Sequence, residues 1–270
     1  LKQPDPGFRV EALRALKERG DRKAAEAVRG VAADATHPQA VRTQALVALA
    51  EFGDADIGFL MQLATGIEDR LRDEAMRALT GEKLTAVQQV MLAGSPVNVE
   101  AGLRARVLGK PPHAGRPKPD DVDGWIKLLA GPADADAGRR VFEHPRLAGC
   151  FRCHKVDGRG AGVGPDLSLI GRTDRRWIVE SVVRPSAVVA PHYQAWKIDT
   201  VDGRTLTGLL VGTNLDVSEY VDAKGDRFKV EAKDVDSSGP AAASIMPDGL
   251  LDTLTDQECR DLIAFLASRK

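Results

Sequence analysis

Apolar residues recur with a helical period through the first third of the chain. A core of the form Ala-Leu-x-Ala-Leu occupies residues 12–16 and 45–49, recurs at 75–79 with Met in place of the first Leu, and returns weakly near 102–105. A spacing of about 30 residues is typical of stacked helical repeats. Second apolar stripes lie between the copies, at Ala24, Ala25, Ala27 and Val28, at Phe59, Leu60 and Leu63, and at Val87, Val90 and Met91. Each unit is therefore predicted to form a helical hairpin, with turns at Gly20-Asp21, Gly53-Asp54 and Gly81.

The repeat pattern favours a solenoid of stacked helices. Small alanines at the contacts let neighbouring helices approach closely, and leucines fill the seam. By this pattern residues 1–110 resemble short HEAT-type repeats, and a generic helical bundle of similar composition is the alternative. The resemblance implies a concave face that docks a protein partner and has no chemistry of its own. Met61, Met76 and Met91 have the spacing of core residues, so we interpret them as packing residues rather than ligands.

The pattern changes at residues 111–120, which are rich in proline and have no apolar period. Because proline cannot continue a helix, this segment is predicted to be a linker between a repeat domain at 1–110 and a second domain at 121–270. Helical patterns in the second domain occupy about 123–130, 136–142, 173–183 and 256–266. Between them, alternating residues and turn signals predict a small antiparallel β insert of about four strands at about 193–233. The fold class is therefore mainly α, with a β insert in the second domain.

Composition narrows the classes of function. The 38 basic and 39 acidic residues nearly balance, which gives a formal net charge of -1, and no run of like charges occurs. This balance argues against binding to nucleic acid or to a membrane surface. No apolar run approaches the roughly twenty residues that a bilayer-spanning helix needs, so we expect no membrane span in this chain.

The chain has three cysteines, and two of them stand three positions apart. Cys150, Cys153 and His154 form the C-x-x-C-H signature of covalent c-type haem attachment. In that chemistry the two thiols add across the vinyl groups of one porphyrin edge, and the adjacent imidazole binds the iron. The alternatives are a redox dithiol and half of a zinc site, for which Cys259 is the one further cysteine. His144, just upstream, is predicted to lie at the surface.

A glycine-rich segment, residues 157–167, follows the signature and contains the step Gly-Pro-Asp-Leu. Gly138 and Phe142 lie on a predicted early helix of the domain, and Leu262 and Phe265 lie on the last one. These residues would allow a close crossing of the two helices. With this combination the second domain resembles class I cytochromes c, in which such a crossing builds the core beside the haem.

The resemblance implies roles for residues around the signature. The Pro165 carbonyl would accept the Nδ1–H of His154, and Leu167 would pack on the porphyrin. Met246 lies in the loop before the last helix, where these cytochromes place their axial Met, and is predicted to be the sixth ligand of the iron. His192 is the alternative sixth ligand.

A longer series of motifs resembles one group of such domains. The signature and the glycine-rich segment are followed by Arg-Pro-Ser at 184–186, a turn-containing β segment at 202–208, Ser-Ile-Met-Pro-Asp-Gly-Leu at 244–250 and a final helix motif at 261–266. In this order they resemble the haem-binding domain of planctomycete- and verrucomicrobia-type proteins, over residues 121–270. His192 departs from that pattern, in which a small residue is expected. In that family HEAT-like repeats often precede the cytochrome, and a β-propeller dehydrogenase domain often precedes both.

The resulting hypothesis is a mono-haem c-type cytochrome that carries single electrons and is an electron-transfer module rather than an independent enzyme. The resemblance implies a redox partner such as a sugar or alcohol dehydrogenase, or a dehydrogenase domain upstream of this sequence, with docking on the helical repeats. Because c-type haem is attached outside the bacterial cytoplasmic membrane, we expect a periplasmic or otherwise exported protein whose signal segment lies beyond this sequence.

Two alternative functions stay open. In a haem enzyme, an exchangeable sixth site would act on peroxide or a small gas, and His192 or Arg184 would stand above the iron. In a ligand sensor, Met246 would dissociate and the binding of a partner would change. No Ser-His-Asp set, carboxylate pair or phosphate-binding loop in the sequence indicates independent catalysis.

Overall fold

The structure, a computed structural model, describes residues 5–53, 56–95 and 99–270. The chain forms two compact units. The first contains residues 1–115, 136–149 and 252–262, and the second contains residues 116–135, 150–251 and 263–270. Residues 136–149 and 252–262 group with the repeat helices in the first unit. The predicted boundaries at 111–120 stay a prediction.

Eleven α-helices occur in the described ranges. They are α1 (Pro6–Glu18), α2 (Ala25–Ala33), α3 (Gln39–Phe52), α4 (Ile57–Ala64), α5 (Asp69–Leu79), α6 (Ala86–Gly94), α7 (Ala101–Val107), α8 (Val122–Leu128), α9 (Ala135–Glu143), α10 (Arg175–Val183) and α11 (Asp256–Ala267). Of the described helices, none is both long and apolar enough to cross a bilayer.

The first six helices follow one another in the order of the three predicted units, α1–α2, α3–α4 and α5–α6, and α7 follows them. Among the described residues the main contacts join α1 with α3, α2 with α3, α3 with α5 and α4 with α5, so the two helices within each predicted hairpin are not the ones that pack together most. At the start of α1 the Asp5 side chain accepts a hydrogen bond from the Phe8 N–H, and at the start of α4 the Asp56 side chain accepts one from the Phe59 N–H. These caps satisfy backbone N–H groups that have no partner within the helix. The predicted turn residues Gly20, Gly53 and Gly81 all have positive φ, a conformation that glycine adopts without strain. The predicted turn residue Asp54 lies outside the described residues.

The repeat core follows the Ala-Leu pattern of the sequence. The buried side chains include Leu13 of α1, Ala45, Leu46, Ala48 and Leu49 of α3, and Ala75, Met76 and Leu79 of α5. The second helices add Val28, Leu60 and Met61. Met61 and Met76 are thus packing residues, as predicted.

The apolar stripe predicted for the third hairpin is wrong. Val87, Val90 and Met91 of α6 are 70%, 71% and 51% exposed, whereas Leu92 is fully buried. In a helix the direction of a side chain turns by about 100° per residue, so residue 92 points away from the face that carries 87, 90 and 91. The helix therefore packs through Leu92, and Met91 is not a core residue.

Helix α11 begins at a capping box formed by Thr255 and Glu258. The Thr255 N–H donates to Glu258 Oε2 at 2.8 Å, and the Glu258 N–H donates to Thr255 Oγ1 at 3.1 Å. Leu254 and Cys259, which have the spacing of a hydrophobic staple around this cap, are both fully buried. Cys259 is not part of a disulfide in this buried position.

Helix α9 approaches α11 closely at Gly138. A Cβ atom on Gly138 would lie 1.8 Å from Asp261 O and 2.9 Å from Leu262 N. No side chain fits in that space, so only glycine lets the two backbones meet. The close crossing predicted from Gly138 and Leu262 is confirmed.

A buried network of ion pairs joins helices of the first unit. Arg77 of α5 donates to Glu74 at 2.9 Å and to Glu258 of α11 at 2.8 Å. Arg106 of α7 donates to Glu258 at 2.9 Å, and Arg140 of α9 donates to Glu74 at 2.8 Å. Both carboxylates are fully buried. The repeat helices α5 and α7 therefore share one charged network with α9 and α11.

His144 follows α9 and is fully buried, so the predicted surface position is wrong. Its Nδ1 accepts a hydrogen bond from the Arg146 N–H at 3.2 Å. Burial and the positive charges of Arg77 and Arg106 hold the pKa of His144 well below its ordinary value. The imidazole is therefore neutral at neutral pH and part of the buried core.

The second unit contains one antiparallel sheet of five strands in the order β4-β3-β2-β1-β5. The strands are β1 (Ala195–Thr200), β2 (Thr205–Thr213), β3 (Val217–Val221), β4 (Arg227–Glu231) and β5 (Val235–Pro240). The first four confirm the predicted antiparallel insert, and the fifth extends it past residue 233. Strand β5 pairs with β1, with Ser238 opposite Ile198. Its residues 236–239 are Asp-Ser-Ser-Gly, which lack the apolar alternation that identifies a strand in sequence.

Candidate functional site

The C-x-x-C-H signature forms a single tight turn in the second unit. Residues Cys150–Arg152 form a 3-10 turn, and the N–H groups of Cys153 and His154 both donate to the Cys150 carbonyl, at 3.2 and 3.0 Å. The two thiols and the imidazole are half-buried. One turn of backbone thus supplies two sulfur atoms and one ring nitrogen at neighbouring positions.

The glycine-rich segment folds back over this turn. Four backbone hydrogen bonds hold it there, from Ala161 to Phe151 at 3.3 Å, from Val163 and Gly164 to Cys153 at 3.0 and 2.7 Å, and from Leu167 to Lys155 at 2.8 Å. The segment is therefore an ordered cover of the signature rather than a loose connection.

Two glycines of this segment lie too close to His154 for any side chain. A Cβ on Gly160 would lie 2.3 Å from the His154 carbonyl oxygen, and the φ of Gly160 is +101°. A Cβ on Gly164 would lie 2.6 Å from Cε1 and 2.8 Å from Nδ1 of the His154 ring. Bare backbone at Gly164 thus packs directly on the imidazole and limits its orientation.

The imidazole of His154 is also held by a hydrogen bond. Its Nδ1 lies 2.8 Å from the Pro165 carbonyl oxygen. A carbonyl oxygen only accepts, so Nδ1 carries the proton and Nε2 keeps a lone pair. Burial lowers the pKa of His154, and the bond to Pro165 partly opposes that effect. A neutral imidazole with a free Nε2 is the form that binds a metal ion, and the contact is the one that the resemblance to class I cytochromes implies.

The pKa values of the two thiols are shifted in the direction opposite to that of a redox dithiol. Burial raises the pKa of Cys150 to about 12, and burial also raises the pKa of Cys153. Reactive cysteine pairs need a lowered thiol pKa, because the thiolate is the nucleophile. The raised pKa of both thiols therefore disfavours the dithiol alternative. For the zinc alternative, the described part of the chain contains no group of three or more His, Cys, Asp or Glu side chains placed to hold a metal ion.

The β insert packs against the signature, a role that sequence reasoning did not assign. Cys153 lies against a cluster formed by Val163, Leu209 of β2 and Val221 of β3. Nearby, a Cβ on Gly225, in the turn between β3 and β4, would lie 3.7 Å from the Arg152 carbonyl. The alternation of apolar and polar residues in β2 and β3 predicts that one face of the sheet is buried. It does not indicate which part of the chain packs against that face.

The remaining predicted site residues lie in the same unit. Leu167 is half-buried and bonded to Lys155 as described. Met246 is half-buried, and its N–H donates to Ser244 Oγ at 3.1 Å. His192 is exposed in the turn before β1. The assignment of Met246, with His192 as the alternative, stays a prediction.

Comparison with known protein families concerns the other unit. The family model for HEAT repeats matches residues 1–80. The start of this chain is similar to HEAT repeats. The prediction of HEAT-like repeats is therefore confirmed over that range, and residues 81–110 lie beyond it. HEAT repeats are generally surfaces for protein–protein contact. A search of curated proteins finds no match for the chain.

Proposed function

We propose that this protein is an exported c-type cytochrome that carries one covalently attached haem and transfers single electrons. The observation that supports the proposal most is the environment of His154. Its Nδ1–H is engaged by the Pro165 carbonyl at 2.8 Å, and the bare backbone of Gly164 lies against the ring. Together they leave Nε2 available and hold the imidazole in one orientation, as an axial ligand requires.

Each residue of the signature has one task in this proposal. Cys150 and Cys153 would hold the porphyrin through thioether bonds, and His154 would hold the iron through Nε2. Leu167 would pack on the porphyrin, and Met246 would be the second residue that holds the iron. When bound, haem c supplies reversible one-electron transfer at its iron.

The surroundings of the thiols fit thioether formation. A thioether is neutral and apolar, so it suits the position of Cys153 beside Val163, Leu209 and Val221. The raised pKa of Cys150, about 12, disfavours a thiolate there, and a thioether carries no charge. The same burial that weakens the dithiol alternative therefore suits a covalent cofactor.

The partner in this proposal is a redox protein of the sugar- or alcohol-dehydrogenase type. The HEAT-like region supports a role in protein contact without identifying the partner. The periplasmic location is part of the same proposal, because c-type haem is attached outside the cytoplasmic membrane.

Covalent attachment is tested by producing the chain with an export signal and a c-type haem maturation system. The wild type should retain one haem after denaturation in acid and organic solvent, detected by mass. Cys150→Ala/Cys153→Ala should retain none. Cys259→Ala is the matched control, because it removes the third cysteine and should keep the haem. A wild type without covalent haem under these conditions would overturn the proposal.

A further inference from the structure

The loop that contains Met246 is fixed at its start by strand β1. The Ala241 N–H donates to the Ala195 carbonyl at 2.8 Å. The Gln194 side chain donates to the Ala241 carbonyl, also at 2.8 Å. These contacts define where the loop begins, five residues before Met246.

A chain of two hydrogen bonds then leads from α10 to Met246. The Ser244 N–H donates to Ser186 Oγ at 3.0 Å, and the Met246 N–H donates to Ser244 Oγ at 3.1 Å. Ser186 belongs to the Arg-Pro-Ser motif at 184–186, directly after α10, where the Ala187 N–H closes a turn onto the Arg184 carbonyl at 2.9 Å. The hydroxyl of Ser186 is thus held by ordered backbone and, through Ser244, reaches the backbone of Met246.

A methionine ligand depends strongly on such backbone positioning. Its side chain has three rotatable bonds, and its neutral thioether sulfur is a weak electron-pair donor to a metal. The protein therefore has to supply the placement that the side chain lacks. Pro247, which follows directly, fixes its own φ but has no N–H of its own to anchor the loop.

We propose that Ser186 is a positioning residue for Met246, acting through Ser244, and that it sets how readily an external ligand displaces the thioether from the iron. This inference rests on the proposed function, in which Met246 is an axial ligand. It gives the Arg-Pro-Ser motif a role in axial ligation, although Ser186 itself does not touch the cofactor.

The test is the binding of imidazole to the oxidised holoprotein. Ser186→Ala removes one neutral hydrogen bond that favours the state in which Met246 is the ligand. Imidazole should therefore displace Met246 more readily, and its apparent Kd should fall about 3- to 10-fold. Ser186→Thr keeps the hydroxyl and should restore the wild-type Kd. Ser238→Ala makes the same substitution at an exposed serine of β5 and should leave the Kd unchanged.

The outcomes separate this inference from the proposed function. If the wild type holds haem and shows the far-red sulfur-to-iron absorption band, and Met246→Ala loses the band, the ligand assignment holds. A Ser186→Ala Kd equal to the wild-type value then overturns the positioning role, even if the Tm of the variant falls. If Met246→Ala keeps the wild-type spectrum, the ligand assignment fails, and the positioning role fails with it.

Discussion

Replacing Glu258 with Gln removes a charge that two buried arginines share. Glu258 Oε1 accepts from Arg77 at 2.8 Å and from Arg106 at 2.9 Å, and Oε2 accepts from the Thr255 N–H at 2.8 Å and from a second nitrogen of Arg106. Gln has the same shape, but its amide nitrogen donates and cannot accept from Thr255 and Arg106. The Glu258→Gln variant therefore places a neutral amide beside two buried cations, of which Arg77 keeps its ion pair with Glu74.

The expected loss follows from two independent arguments. Removing one partner of a buried ion pair typically costs about 3–5 kcal/mol, because the other charge stays buried. The second argument uses the carboxyl itself. Burial would raise the pKa of Glu258, but the hydrogen bond from Arg106 and the charges of Arg77 and Arg106 outweigh burial and lower the pKa from 4.5 to about 2. At about 1.4 kcal/mol per pKa unit, that shift is worth about 3 kcal/mol.

The same shift determines how the stability depends on pH. The folded-state pKa lies below the unfolded value, so the contribution of Glu258 is fully present above pH 4.5. It is lost as the pH falls from about 4.5 towards about 2. Wild type should therefore lose stability over this window, and Glu258→Gln should lose about 3 kcal/mol less across it.

Urea unfolding at pH 7, followed by the helical circular dichroism signal, measures the free energy directly. The matched control is Glu219→Gln, which removes a partly exposed carboxylate that pairs with Arg227 at 3.1 Å on the sheet. Surface pairs are worth about 1 kcal/mol or less. If Glu258→Gln destabilises the protein no more than this control does, the account of the buried network is wrong.

Two further pairs of substitutions test the packing. Gly138→Ala should cost about 1–3 kcal/mol or more in urea unfolding, because its Cβ would lie 1.8 Å from Asp261 O, whereas Gly30→Ala, with open space around it on α2, should be neutral or slightly stabilising. Equal stability of these two variants would contradict the close helix crossing. Leu92→Ala should lower the free energy of unfolding by about 2–5 kcal/mol, and Val90→Ala should lower it by about 0.5 kcal/mol or less. The reverse order would mean that Val87, Val90 and Met91 face the core, as the sequence predicted.

Local patterns in the sequence were sufficient for most of the secondary structure. The Ala-Leu cores and the apolar stripes between them predicted helices α1 to α6, and the alternating segments predicted four of the five strands. Strand β5 was missed because its polar residues carry no period. The α6 stripe was misassigned because Val87, Val90 and Met91 have helical spacing but lie on an exposed face of that helix.

Contacts between distant residues could not be predicted in this way. Arg77 and Glu258 are 181 positions apart, and the sequence around either residue does not indicate that the two form a buried ion pair. His144 looked like a surface residue because polarity is the local signal, whereas its burial depends on the packing after α9. For the candidate site, the C-x-x-C-H spacing is local and visible. The packing of β2 and β3 against Cys153 and the Ser186–Ser244 link depend on the fold.

The absorption spectrum of the protein matured with the c-type haem machinery tests the central claim most directly. It is recorded oxidised and reduced, with and without CO. The account predicts a low-spin c-type spectrum with the weak far-red sulfur-to-iron band and no response to CO. A high-spin spectrum that responds to CO would contradict the electron-transfer role and favour a haem enzyme or sensor. The absence of any haem spectrum would contradict haem attachment, and would favour a redox dithiol or a metal site at Cys150, Cys153 and His154.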